Sequence, residues 1–85
     1  MNNENNTLHK AIRIILEESE NRINTTTFIS DEINKRELYR KKDGSRVKPF
    51  QIYLRADNYP DLFDVIDRNT IKLKKDINPI DSVQN

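Results

Sequence analysis

The sequence predicts a small α+β domain in which three helices are followed by a β-hairpin. Three observations predict it. Apolar residues recur at helical spacing in three separate stretches. Two short strand-like runs toward the C-terminal end are split by the turn-prone Asp67-Arg68-Asn69. The chain has 85 residues, 34% apolar and 34% charged, which is enough for one small core and too little for two.

The first helix is predicted over about 7–20. Leu8, Ala11, Ile12, Ile15, Leu16 and Ser19 form one stripe, with Lys10, Arg13, Glu17 and Glu20 on the other side. Asn6 or Thr7 caps its first turn, because a side-chain oxygen there accepts an otherwise unpaired N–H. Asn21 to Thr25 reads as a turn, with Ile23 pointing inward. Thr25-Thr26-Thr27-Phe28 is short and β-branched: it pairs as a stub strand, or its Thr26 caps the next helix.

That second helix is predicted over about 27–37, with Phe28, Ile29 and Ile33 on its core side. Asp31 and Glu32 lie early in it and Lys35 and Arg36 late, the arrangement the helix dipole favours. Asp43-Gly44 marks a turn, and Gly44 is the only glycine in the chain. Lys48-Pro49 suits a helix start, since a proline in the first turn lacks only an N–H that would be unpaired anyway. The third helix is predicted over about 49–58, ending before Pro60. Ile52, Ala56 and Tyr59 then face the core, while Phe50, Leu54 and Asp57 project the other way.

Leu62 to Ile66 and Thr70 to Lys74 form the hairpin. Ile71 and Leu73 point inward and alternate with Thr70, Lys72 and Lys74, so one face is cationic. Residues 1–6 read as a disordered start, 7–75 as the domain and 76–85 as a flexible tail or linker. Ile77, Ile80 and Val83 of that tail are one possible cover for Phe50 and Leu54.

The formal net charge of +1 hides an uneven distribution. Residues 35–55 carry eight basic and two acidic side chains, and residues 68–75 carry four basic ones. Between them lie Asp57, Asp61, Asp64 and Asp67. Two basic blocks brought together by the fold attract polyanions even on a nearly neutral molecule. The plainer alternative is a lysine-rich loop that only keeps the domain solvated.

Several chemistries are excluded. With no cysteine there is no disulfide, no Cys-ligated zinc and no thiol catalysis. His9 is the only histidine, read as solvent-facing, so neither a His-rich metal site nor a Ser-His-acid set can form. One glycine cannot make a phosphate-cradling loop. Asp61, Asp64 and Asp67 cross a strand and a turn, where a spacing of three does not converge, and read as a solvated acidic edge. Glu32 is followed two positions on by Asn34 rather than the lysine a restriction-type nuclease site needs. Tyr39, Tyr53 and Tyr59 read as core or turn packing rather than base-stacking groups. No cofactor is implied, and the chain reads as cytosolic, because neither a membrane span nor a secretory signal is visible.

Three helices followed by a hairpin is the element order of a winged helix-turn-helix. Residues Ile29 to Ser45, ISDEINKRELYRKKDGS, resemble the second helix and loop of HARE-type winged-helix domains. So do Gln51-Ile52 and Asn58-Tyr59-Pro60-Asp61-Leu62-Phe63, and the likeness spans residues 8–74. That family includes N-terminal modules of restriction-type proteins and, more distantly, the delta subunit of bacterial RNA polymerase. The resemblance implies a winged helix proposed to bind DNA, usually beside an enzymatic domain and not itself catalytic. Some relatives act through protein contacts.

The expectation is therefore a non-catalytic module for targeting or regulation that binds double-stranded DNA. In such a fold the third helix enters the major groove. Arg46 and Lys48 stand at its start, and Gln51 and Arg55 are long enough to reach base edges. Arg40, Lys41 and Lys42 before it, and Arg68, Lys72 and Lys74 on the hairpin, would hold backbone phosphates. The alternative is a protein-interaction module of the same fold, using exposed Phe50 and Leu54.

Overall fold

In the computed structural model, which describes residues 7–74, Thr7 opens the first helix. Its hydroxyl accepts the Lys10 backbone N–H at 3.3 Å, and α1 runs Leu8–Glu18. Leu8, Ala11, Ile12, Ile15 and Leu16 are buried along one side, as their spacing requires. The helix stops short of the expected Glu20. The Ser19 hydroxyl donates to the Ile15 carbonyl at 2.8 Å, and Asn21 and Arg22 take left-handed backbone with φ of 58° and 61°. Two such residues in succession cannot continue a right-handed helix. They turn the chain back through a single 3₁₀ turn, Glu20–Arg22.

The threonine stretch divides otherwise than expected: Thr25 alone of it pairs as strand, Thr26 to Phe28 are helical, and the strand takes in Ile23 and Asn24, which read as a turn. Ile23–Thr25 is a short strand, β1. Thr25, rather than Thr26, caps the second helix, its hydroxyl accepting the Phe28 N–H at 3.0 Å. The second helix, α2, runs Thr26–Arg36 and buries Thr26, Ile29, Ser30 and Ile33. Phe28 does not join them and is 42% exposed, because it lies about 100° around the helix from Ile29. The Ser30 hydroxyl donates to the Thr27 carbonyl, so its burial leaves no unpaired group. The third helix, α3, runs Pro49–Asp57 with Ile52 and Ala56 fully buried.

The strands β2, Phe63–Asp67, and β3, Thr70–Leu73, form an antiparallel hairpin. The Asp67 carboxylate accepts the Asn69 N–H at 2.8 Å and tightens the turn. A register shift between Val65 and Asp67 leaves Ile66 bulged out and 55% exposed. β1 adds to the free edge of β3, giving a three-stranded antiparallel sheet in the order β1-β3-β2. Ile23, expected to point inward, is half-buried and paired with Lys72.

Ile71, Leu73 and Phe63 face the three helices and complete one core with Val47. The fold is thus α+β: three helices packed on one face of a three-stranded antiparallel sheet. No helix among the described residues is long and apolar enough to cross a membrane. The expectations for residues 1–6 and 76–85 lie outside the described residues, including a tail laid over Phe50 and Leu54.

Candidate nucleic-acid interface

The segment between α2 and α3 is anchored at both ends. At its start Glu37 takes left-handed backbone, φ 56°, and the Leu38 N–H bonds back to the Ile33 carbonyl at 3.0 Å. This turns Leu38 and Tyr39 against the core. At its end Val47 is only 4% exposed. The Asn34 side chain clasps its backbone: Nδ2 donates to the Val47 carbonyl and Oδ1 accepts the Val47 N–H, both at 2.9 Å. Between the anchors the Gly44 N–H bonds to the Lys41 carbonyl at 2.9 Å, and Gly44 takes φ +80°.

Asp43, before the glycine of this loop, is held locally. Asp43 accepts the Ser45 hydroxyl at 2.7 Å and the Ser45 N–H at 2.9 Å. These bonds, the hydroxyl's first, keep its carboxyl below the usual range. Arg40 turns back to Glu37 at 3.2 Å. Lys41, Lys42, Arg46, Lys48 and Arg55 make no ion pair among the described residues.

The helix carboxylates differ. Arg13 meets Glu17, Lys35 meets Glu32, and Arg36 bridges Glu18 and Glu32 at 2.8 and 3.0 Å. The Arg36 hydrogen bonds to Glu18 draw the Glu18 carboxyl below its ordinary range. The loop and the start of α3 thus hold a run of cations outside these ion pairs, as do the hairpin positions Arg68, Lys72 and Lys74.

Three sides of α3 have different fates. Ile52 and Ala56 face the core. Phe50, 60% exposed, and Leu54, 44% exposed, point outward with Asp57. Phe50 leans on Tyr53 with ring centroids 5.9 Å apart. On the third side Gln51, Arg55 and Asn58 line a depression of about 200 Å³ with Lys41, Leu8, Tyr39, Val47 and Leu54. The Gln51 side-chain oxygen accepts the Lys48 N–H at 2.9 Å and closes the first turn of α3. That bond uses one of the oxygen's two lone pairs and orients the amide toward the start of the helix.

His9, expected to face solvent, instead stacks on Tyr59 with ring centroids 4.0 Å apart and planes 20° from parallel. Its Nδ1 is buried without a hydrogen-bond partner. Burial first, then the positive charges of Arg55 and Lys10, push its pKa down.

The hairpin cations stand apart from this group. Lys72 projects from the sheet face opposite to Ile71 and Leu73, with Asp64 and Ile23 as its cross-strand neighbours. Lys74 shares a second depression with Asp57 and Asp64. Arg68 is exposed at the hairpin turn. The fold thus gathers Lys41, Gln51 and Arg55 about one depression, with Arg46 and Lys48 at the start of α3, and leaves Lys72 and Lys74 beside acid elsewhere.

Asn34 was not legible as a site residue, because its partner lies 13 positions away in a loop. No cluster of three histidine, cysteine or acidic groups able to hold a metal occurs among the described residues. Compared with protein-family models, with curated proteins and with solved structures, the chain matches none, so what this face can do is read from its own geometry.

Proposed function

We propose that this domain is a non-catalytic winged-helix module that binds duplex DNA, serving as a targeting or regulatory part. The observation that carries the reading is the set of cations without an ion pair among the described residues, Lys41, Lys42, Arg46, Lys48 and Arg55, around one helix and the anchored loop before it. Phosphates attract such charge without regard to sequence. The order of three helices and a terminal hairpin, and the resemblance of residues 29–66 to HARE-type domains, support the same reading. Arg46 and Lys48 lead, at the start of α3. Arg40 and Arg68 reach phosphates from the flanks. Lys72 and Lys74, beside Asp64 and Asp57, contribute least.

Anisotropy of a labelled mixed-sequence duplex at low salt tests this. Replacing Arg46 and Lys48 by alanine lowers affinity for unrelated duplexes alike. It also reduces the slope of log affinity against log salt by about 1.8, at ~0.9 per lost phosphate contact. An unchanged duplex affinity in that variant removes this face from the binding surface.

A second reading rests on a specific observation, the 60% and 44% exposure of Phe50 and Leu54 on the outward side of α3. Adjacent exposed apolar groups with a charged rim suit a protein partner. An amide NMR titration with duplex separates the two. Shifts concentrated at 41–55 support DNA, and their absence at high protein concentration supports the protein partner.

A further inference from the structure

We propose that Lys41 and Arg55 form a single phosphate-binding depression, so that α3 grips the DNA backbone and does not read bases. This deepens the duplex-DNA reading of the same face and rests on it.

The charged groups in the depression are of one sign, and the Asn58 amide beside them brings a donor as well as an acceptor. Lys41 and Arg55 supply cations with no ion pair among the described residues. The oxygen of Gln51 is held by the Lys48 N–H, so its amide nitrogen is the end left to donate. No carboxylate lines the depression. Leu8, Val47, Leu54 and the Tyr39 ring form the rest of its wall. The depression, about 200 Å³ and open to solvent, has room for a phosphodiester group.

The same geometry removes α3 from base readout. Gln51 and Arg55, the two side chains suited to base edges, lie on the flank that lines the depression. The outward side carries Phe50 and Asp57 instead, with Leu54 exposed at the edge of the depression. Phenylalanine and leucine offer base edges no hydrogen bond, and a carboxylate there repels phosphate. Binding of this kind discriminates little between sequences.

Two measurements test the proposal. In the first, inorganic phosphate is titrated against chloride at matched ionic strength and followed by amide NMR. Phosphate is expected to move Lys41, Gln51 and Arg55 in the native protein, and not in Lys41→Ala or Arg55→Gln, each checked for native fold by circular dichroism. In the second, affinity is measured for an A·T-rich and a G·C-rich duplex. Arg55→Gln is expected to weaken both by the same factor and to lower each salt slope by about 0.9.

A change in the ratio of the two affinities of tenfold or more, about 1.4 kcal/mol, marks Arg55 as a base reader and overturns the proposal. So does duplex binding by a protein whose depression ignores phosphate. Phosphate shifts without any duplex binding support the anion site and overturn the DNA reading, so the two failures are distinguishable.

Discussion

Asn34→Ala removes both hydrogen bonds that clasp Val47, while leaving the buried apolar contacts of the loop in place. Val47 is 4% exposed, so its N–H and carbonyl are left with poor access to water. A net hydrogen bond contributes about 1 kcal/mol, and leaving a buried partner unpaired costs about 1–3 kcal/mol. Two bonds to a nearly buried backbone therefore set the loss at about 2–4 kcal/mol. For a domain of this size that lowers Tm by roughly 10–25 °C, at about 4–8 °C per kcal/mol.

The assay is urea unfolding followed by circular dichroism, paired with hydrogen exchange at the Val47 amide. The midpoint should fall with little change in slope, and the Val47 amide should lose protection ahead of Ile29 and Ile33 in α2. Asn34→Asp keeps the oxygen that accepts the Val47 N–H but sets a second carboxylate oxygen against the Val47 carbonyl, so it should not recover the stability of the native protein. A loss under about 0.5 kcal/mol for Asn34→Ala would mean that the loop is held by Val47 packing alone, and would refute the reasoning.

Two further outcomes follow from local geometry. Glu37 sits at φ 56°, and its side chain makes only an exposed ion pair to Arg40, so Glu37→Gly should stabilise the domain by about 0.5–1 kcal/mol in urea unfolding. An unchanged or lower midpoint would show that the left-handed residue carries no strain. His9 titrates below its ordinary value in the folded protein, so the unfolded chain binds its proton first. Its contribution is complete above the unfolded value and is lost as pH falls from about 6.5 toward the folded pKa. As His9 is the only histidine, His9→Gln should flatten stability against pH in that window; an unaltered profile, or a normal titration of the ring by NMR, would contradict it.

The sequence by itself determined the elements that local spacing controls. Leu8 to Leu16 could bury only one helical stripe, Pro49 and Pro60 bounded the third helix, and Asp67-Arg68-Asn69 could only turn. The outward placement of Phe50 and Leu54 was legible for the same reason: a helix fixes the angle between neighbours whatever it packs on.

The tertiary structure alone decided what those elements meet. It made β1 a third strand on β3, took Phe28 out of the core, and stacked His9 on Tyr59 across the fold. It also gave the two basic blocks different surroundings, with Lys41 and Arg55 around a shared depression and Lys72 and Lys74 beside carboxylates. Charge along a chain is additive, but the field at a surface depends on which side chains the packing brings within a few ångströms, and no local spacing encodes that.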